Sequence, residues 1–448
     1  MSERRPPAPP SAVVVGDIDR FLQEVIAELA PDDAESKPGR PRILPALALW
    51  GGLLVCVLRG FAHQTALWRL LSQHGLWGYP RFPVSDQAVY TRLATGGTMA
   101  LERLFAQVTT VLAARLAPYA ATDLAPFASD VVALDETTLD PVARTLPALR
   151  GSAAADARRL PGKLAGVFDL RRQQWRRVEH LPDPHQNEKV AARGLLDGLA
   201  AGTLILADLG YFGFAWFDHL TARGFSWVSR LRAKTSYTVL HAFYEQGETF
   251  DGLVWLGAYH TDRAAGAVRL VRFRLGAVTY TYLTNVLDPT VLPVREVARL
   301  YARRWDIELA FKTVKRHLGL HLLWSAKEVV ILQQVWAVLT ISQILQALQL
   351  EIAGRAGVDP FDVSLALLVE EAPRYAQAGQ DPVAAFVAHG RAAGYIRPSR
   401  RTVNLAPHIP RHQLTPLPPH LALVRPPRYA ARRAGPRSQS PAAVYTPH

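Results

Sequence analysis

Cysteine is almost absent, because the 448-residue chain contains only Cys56. One thiol can build neither an internal disulfide framework nor a cysteine-ligated zinc site, and such scarcity is typical of a reducing compartment. The first ten residues are rich in proline and lack the apolar segment of a signal peptide. These absences predict a cytoplasmic protein.

Long hydrophobic runs are also scarce. Residues 43–58 are uncharged, but they are fewer than the roughly 20 that a transmembrane helix needs, and Gly51 and Gly52 interrupt them. Residues 329–350 are uncharged as well, yet glutamines and hydroxyl side chains recur among them. This pattern favours an amphipathic helix packed on a domain, so no membrane partner is expected.

Acidic residues are missing from one end of the chain. Residues 397–448 contain nine arginines and no aspartate or glutamate, whereas the whole chain has a formal net charge of +13. Most of the basic excess therefore lies in this Pro-rich segment, which the composition predicts to be disordered. A basic excess of this size indicates a polyanionic partner such as nucleic acid. The alternative interpretation of the basic segment is a solvated arm without a specific role.

The hydrophobic pattern changes several times along the chain. Apolar residues recur at helical spacing over 43–124, while short apolar runs indicate strands within 125–225. Residues 226–292 are rich in β-branched and aromatic residues, which predicts further strands. One long helix is predicted over 294–320, and helical spacing continues to residue 396. The expected fold class is α/β.

Two carboxylates directly follow short apolar strands. Asp135 comes after Val131–Leu134, and Asp208 comes after Thr203–Ala207. A carboxylate at a strand end is held rigidly at a sheet edge, where a ligand can reach it. Strand-end aspartates are common in α/β proteins, so this position alone leaves a structural role open. Asp130, Glu136 and Asp140 remain rival acids.

The predicted helix 294–320 carries a polar face beside an apolar one. At about 100° per residue, Tyr301, Arg304, Glu308 and Lys315 fall within about 60° of one another. A carboxylate among two cations and a phenol suits a site that binds metal and phosphate together. An exposed i, i+4 ion pair between Arg304 and Glu308 explains the same spacing. Geometry alone leaves these two interpretations open.

The motifs together resemble a known family. Residues 301–315 match Tyr-x2-Arg-x3-Glu-x6-Lys, Asp208-Leu-Gly-Tyr is similar to Asp-Arg-Gly-Tyr, and Asp135 is followed by Glu-Thr-Thr. In this order they resemble the bacterial insertion-sequence DDE transposases with a Tyr-Arg-Glu-Lys (YREK) signature. Leu209 stands where that family usually has arginine. Glu136 replaces a small residue, and we expect it to point to the opposite face from Asp135.

The resemblance implies a ribonuclease-H-like catalytic core with a β-strand-rich insertion, preceded by an all-α domain and followed by C-terminal helices. The implied divisions are a Pro-rich arm with a short helix (1–42), a helical domain expected to bind DNA (43–124), the two parts of the core (125–225 and 293–355), the β insertion (226–292), a C-terminal helical region (356–396) and a disordered basic tail (397–448).

The same resemblance implies the roles of the site residues. Asp135, Asp208 and Glu308 would be the catalytic and metal-binding acids. Their oxygen ligands favour two Mg²⁺ or Mn²⁺ ions. DNA contacts would come from a second set, Tyr301, Arg304, Lys315, Arg230 and Arg232.

Cleavage and strand transfer at insertion-sequence ends is the implied activity. The expected partners are the terminal inverted repeats and target DNA, bound by a homodimer in the cytoplasm at the nucleoid. Two alternatives stay open, namely a transposase-derived DNA-binding protein and a hydrolytic nuclease without strand transfer.

Two further segments have alternative interpretations. Residues 85–93 begin with a helix-start signal and carry Gln87, Thr91 and Arg92, which suits either a DNA-recognition helix or an ordinary amphipathic helix. Trp255 could stack on a base, although a tryptophan within a strand more often belongs to the core.

Overall fold

The computed structural model describes most of the chain. It covers residues 13–29, 43–139 except 62, 162–399 except 184–185, 258–261, 321–322 and 326, and 406–429. The first residues of the N-terminal arm, the rival acid Asp140 and the last residues of the basic tail lie outside these ranges.

A nine-stranded mixed sheet runs through the described residues, with the order β3-β2-β1-β4-β5-β9-β8-β7-β6. Its first three strands pair antiparallel, β4 and β5 run parallel to β1, and β5 pairs antiparallel with β9. The strands are β1 (Val131–Thr138), β2 (Lys163–Asp169), β3 (Gln174–Leu181), β4 (Leu204–Ala207), β5 (Ser226–Arg230), β6 (Tyr237–Gln246), β7 (Thr249–Leu256), β8 (Val268–Leu275) and β9 (Val278–Thr284).

Helices cover both faces of this sheet, which confirms the mixed α/β class. They are α1 (Ile18–Ala27), α2 (Ala46–Leu58), α3 (Gln64–Arg69), α4 (Asp86–Thr95), α5 (Met99–Arg115), α6 (Glu188–Leu195), α7 (Phe214–Ala222), α8 (Val294–Arg303), α9 (Trp305–Lys312), α10 (Glu328–Ala356), α11 (Leu365–Gln377) and α12 (Pro382–His389).

Strand β1 shows how the sequence divides the core into two parts. Val131 and Ala133 pack in the larger core with α8, α9 and α10, whereas Val132 and Leu134 pack in the smaller core with α6 and α7. Successive side chains of a strand point to opposite faces, so the alternation continues into the acids that follow. Asp135 thus lies on the face covered by α9, and Glu136 lies on the face covered by α6.

Helix α10 is the centre of the helical part and differs from the predicted amphipathic helix. It is long and apolar enough to span a membrane, and 83% of its most apolar window is buried inside the protein. Its glutamines are buried, and several of them form hydrogen bonds through their amide groups. Gln343 donates to Thr109 and to the carbonyl of Trp175, and Gln333 donates to the carbonyls of Leu93 and Gly97. Because the amide N–H groups of Gln333 and Gln343 find acceptors, polar residues that suggested a solvated face can lie in the core.

The single helix predicted over 294–320 is instead three segments. Helices α8 and α9 meet at Arg304, and a π-helical turn follows from Thr313 to His317. The hydroxyl of Thr313 donates to the carbonyl of Leu309 at 3.0 Å. Such a side-chain bond competes with the backbone hydrogen bonds of the helix, which gives a physical reason for the widened turn.

Part of the Arg- and Pro-rich tail is ordered against the sheet, whereas its composition predicted disorder throughout. Within 406–429, the guanidinium of Arg425 lies 4.5 Å from the centre of the Trp255 ring and donates to the carbonyls of Leu256 and Ala264. Tyr429 donates to Asp218 at 2.7 Å. The composition of the tail predicts that Arg425 is solvated, but its guanidinium N–H groups donate to backbone carbonyls. The same contact covers one face of Trp255.

Candidate active site at the ends of strands β1 and β4

The two predicted aspartates are neighbours at one edge of the sheet. Leu134 of β1 is in register with Ala207 of the parallel strand β4, so Asp135 and Asp208 come next on adjacent strands. Strand β1 does not end at Leu134, as predicted, but continues to Thr138, so Asp135 lies within it at the point where its pairing with β4 ends, which we call the strand end. Asp208 also begins a short 3-10 turn, Leu209–Tyr211, where its Oδ1 accepts the backbone N–H of Gly210 at 2.8 Å. The fold therefore brings together two acids that are 73 residues apart in the sequence.

Glu308 approaches from α9 on the same face as Asp135. Arg304 lies with it, donating to Glu308 Oε1 at 2.5 Å, and its other terminal nitrogen is 3.9 Å from Asp135 Oδ2. We call the contact between Arg304 and Glu308 the front ion pair. The predicted i, i+4 pairing is thus present, and it is directed toward the strand-end acid.

Electrostatics couple the three acids. Burial raises the pKa of the Asp135 carboxyl to about 7, and the carboxylates of Asp208 and Glu308 act in the same direction. The backbone N–H of Glu136 and the guanidinium of Arg304 partly oppose this increase in pKa. A divalent cation among these groups would favour the ionised carboxylates.

Lys315 and Tyr301 complete the polar face of the helical segments. The ammonium group of Lys315 donates to the hydroxyl of Thr137 at 2.5 Å and to the carbonyl of Thr138 at 2.8 Å. The ring of Tyr301 packs against Tyr282 with centroids 5.0 Å apart, and burial raises its pKa to about 12. The structure thus ties Lys315 to β1 and leaves Tyr301 half-buried beside Arg304.

Arg230 and Arg232 lie next to the Asp208 turn. Both side chains are exposed at the end of β5, which runs parallel to β4. Arg232 donates to the carbonyl of Leu209 at 2.9 Å and stacks on the ring of Phe212. Arg232 therefore supplies a positive charge beside Leu209, the position where the resembling family usually has arginine.

A second group of charges lies behind the strand end, on the α6 face, and sequence reasoning had missed most of it. Glu136 forms an ion pair with Lys163 of β2, which we call the back ion pair. Their side chains are only 6% and 7% exposed, and Lys163 also donates to the carbonyl of Gln186 at 2.7 Å. Glu188, in the first turn of α6, completes the group; burial raises its pKa, as does the nearby carboxylate of Asp208.

An open cavity of about 590 Å³ lies along the strand end. Its walls are formed by residues of β1, of α9 and of the π-helical turn that follows, namely Asp135, Glu136, Thr137, Glu308, Phe311, Lys312, Lys315 and Arg316. The rival acid Asp130 is not part of this site, because it precedes β1 and pairs with Arg176 at the opposite end of the strand.

The donor atoms of this site suit a hard divalent cation, because they are carboxylate oxygens. Within the part of the chain that the structure describes, no three histidine, cysteine or acidic side chains lie at metal-ligating spacing. Arg304 lies between Asp135 and Glu308, so these acids must exchange that guanidinium for a cation. The chemistry of the donors fits a metal, and a shift of Arg304 is required.

Comparison with known proteins gives the class of this site. Residues 126–344 match the family model of the transposase DDE domain, a range that includes Asp135, Asp208 and Glu308. This segment is therefore similar to transposase DDE domains, a class that generally uses divalent metal ions.

Two individual proteins are similar to this chain. The transposase for insertion sequence element IS231F of Bacillus thuringiensis subsp. israelensis is 26% identical, over 40% of this chain and 48% of that protein. The chain thus covers about half the length of this curated relative. The match confirms the predicted resemblance to insertion-sequence DDE transposases. A piggyBac transposase in a synaptic complex with hairpin DNA is 10% identical, with a TM-score of 0.43 over 90% of this chain and 88% of that one.

Proposed function

We propose that the chain is a transposase that cuts DNA at insertion-sequence ends and joins the cut end to target DNA. The observation that carries this proposal is the convergence of Asp135, Asp208 and Glu308 from two parallel strands and a facing helix. Strands in the order β3-β2-β1-β4-β5, with the first three antiparallel and the next two parallel to β1, support a ribonuclease-H-like core. Strands β6–β9 extend that core as the β insertion.

The three acids would hold Mg²⁺ or Mn²⁺, with two ions as the proposed number. Such ions, when bound, help to form the attacking oxygen and stabilise the leaving oxygen of a phosphodiester. The front ion pair gives Arg304 a second role. With Glu308 holding a cation, the guanidinium of Arg304 would be free beside the site to bind a DNA phosphate.

Other basic groups would hold the DNA around the acids. Arg230 and Arg232 are exposed at the β5 end, Lys315 lies along β1, and the hydroxyl of Tyr301 would donate to a phosphate. Helix α4 begins at the N-cap Ser85 and exposes Gln87 and Thr91, so the helical domain at 43–124 is a further DNA-contacting surface. We also propose a homodimer in the DNA complex, located in the cytoplasm at the nucleoid.

Paired substitutions in the front ion pair test this function. Glu308→Gln keeps the shape of a proposed metal ligand but removes its charge. We expect DNA binding without metal to persist and cleavage to fall at least about 100-fold, the rate equivalent of several kcal/mol. Arg304→Ala should instead weaken the complex with cut ends by about 1.5–3 kcal/mol, because a charge-assisted contact is lost.

Gel-shift, cleavage and strand-joining assays on the same samples measure these effects. Glu296→Gln and Arg299→Ala are matched controls, because they alter a partly exposed pair on α8. Near-wild-type cleavage by Glu308→Gln would refute the proposed site. DNA binding by the wild-type chain without cleavage would favour a DNA-binding protein, and cleavage without joining would favour a hydrolytic nuclease.

A further inference from the structure

The acids behind the strand end include one that the proposed triad does not use. Glu188 points at the Asp208 turn and is packed against Gly210. A Cβ atom at position 210 would lie 1.9 Å from Glu188 Oε2 and 3.0 Å from Asp208 Oδ1. The absence of a side chain at Gly210 therefore allows the carboxylates of Glu188 and Asp208 to face each other across one small space.

Tyr211 directs a hydroxyl group into the same group of acids. This residue is 2% exposed, and its hydroxyl has no hydrogen-bond partner among the residues that the structure describes. Burial is the main cause that raises the pKa of the Tyr211 hydroxyl well above its usual range. The nearby acids raise this pKa further, namely Glu136, Asp135, Glu188 and Asp208. A buried hydroxyl without a partner is unfavourable, because no hydrogen bond offsets the loss of its contacts with water. Such a group in a field of carboxylates indicates a site built to complete its contacts with a ligand.

We propose that Glu188 is a fourth carboxylate of the divalent-cation site and that Tyr211 is a positioning residue, which donates a hydrogen bond to the ligand sphere. This inference rests on the proposed function, because it shares Asp208 with the triad. Asp208 lies at the strand end between the two faces, so Glu188 would add a ligand from the α6 side. A cation there would relieve the repulsion between Asp208 and Glu188, which the ammonium groups of Lys163 and Lys189 offset only in part.

Binding of Mn²⁺ to the DNA-free full-length chain tests the role of Glu188. Electron paramagnetic resonance of the unbound ion gives the affinity without any measurement of activity. We expect Glu188→Gln to weaken Mn²⁺ binding about 10- to 100-fold, the range seen when groups around a metal are removed. Glu328→Gln is the matched control, because Glu328 is an exposed first-turn acid of α10. Equal affinities of Glu188→Gln and Glu328→Gln would refute the proposal.

Gly210→Ala tests the geometry while keeping every charge. The added methyl group must displace the Glu188 carboxylate, so we expect a loss of Mn²⁺ affinity comparable to that of Glu188→Gln. Gly194→Ala on α6 is the control, because a Cβ there meets no atom within 4 Å. An unchanged affinity in Gly210→Ala would contradict the contact between Glu188 and Asp208 that the proposal requires.

Tyr211→Phe removes only the hydroxyl. If Tyr211 positions the ligand sphere, Mn²⁺ affinity falls about tenfold while the metal-free chain melts at the same or a higher temperature, because a buried group without a partner is gone. A purely structural tyrosine predicts unchanged affinity, which would refute its positioning role.

These outcomes separate the inference from the proposed function. Weaker Mn²⁺ binding in Glu188→Gln and Gly210→Ala, together with a wild-type chain that never cleaves end DNA, would refute the transposase and keep the cation site. Metal-dependent cleavage by the wild-type chain with unaltered Mn²⁺ binding in both variants would refute the inference alone.

Discussion

The front and back ion pairs neutralise acids on opposite faces of the same strand end, yet they are built differently. Arg304 and Glu308 belong to one helical segment, and Glu308 keeps 30% of its side chain exposed. Lys163 and Glu136 come from neighbouring strands, and both side chains are less than a tenth exposed. A local, half-open pair can exchange its partner at little cost, whereas a buried pair between strands cannot. The comparison indicates that the guanidinium of Arg304 can be replaced as the partner of its acid, whereas the ammonium group of Lys163 is a fixed partner.

The largest expected effect comes from breaking the back ion pair. Lys163→Met leaves the Glu136 carboxylate buried without its cation, and we expect the free energy of unfolding to fall by about 3–5 kcal/mol. Arg304→Met breaks the front ion pair, and there we expect a loss of at most about 1 kcal/mol. Urea denaturation of both variants measures the two differences.

A double variant controls for other effects of the methionine. Lys163→Met combined with Glu136→Gln removes the uncompensated charge, so most of the lost stability should return. Equal losses of stability in Lys163→Met and Arg304→Met would show that the two ion pairs are equivalent.

A smaller effect is expected at the tether of Lys315 to β1, which keeps the front helices close to the acids. Thr137→Val removes the hydroxyl that accepts from the ammonium group, and we expect a loss of about 1.5 kcal/mol in the free energy of unfolding. Thr137→Ser keeps that hydroxyl and should remain near wild type in the same urea titration. A serine variant as unstable as the valine variant would mean that the methyl group, not the tether, is important.

The smallest effect, on the salt dependence of DNA binding, is expected for the two exposed arginines at the end of β5. Arg230→Gln and Arg232→Gln should each lower the salt dependence of DNA binding by about 0.9 in the slope of log affinity against log salt, because one phosphate contact is lost. Arg274→Gln is the control, since Arg274 pairs with Glu248 on the outer strands. Salt titrations that give three equal slopes would remove these arginines from the DNA surface.

The front of the site could be predicted from the sequence, because it depends on local patterns. Asp135 and Asp208 follow short apolar runs, and Glu308 lies one helical turn after Arg304. The back could not be predicted, because Lys163 reaches Glu136 only through the register of β1 with β2. Glu188 could not be recognised either, because an acidic residue in the first turn of a helix is a common pattern. The tail was misjudged because composition does not reveal which arginine will find backbone carbonyls, as Arg425 does.

Helix α10 also constrains when the protein can become folded. Gln333 binds carbonyls near α4 that are up to 240 residues earlier in the chain, and Gln343 binds Trp175 across 168 residues. During synthesis at about 5–20 residues per second, the N-terminal helices therefore wait on the order of ten to fifty seconds for their central partner. The apolar side chains of α2 and α5 that pack on α10 are uncovered throughout that interval. Any copy interrupted before residue 328 leaves them uncovered permanently, and such a fragment is a substrate for chaperones and proteases instead of a partial enzyme.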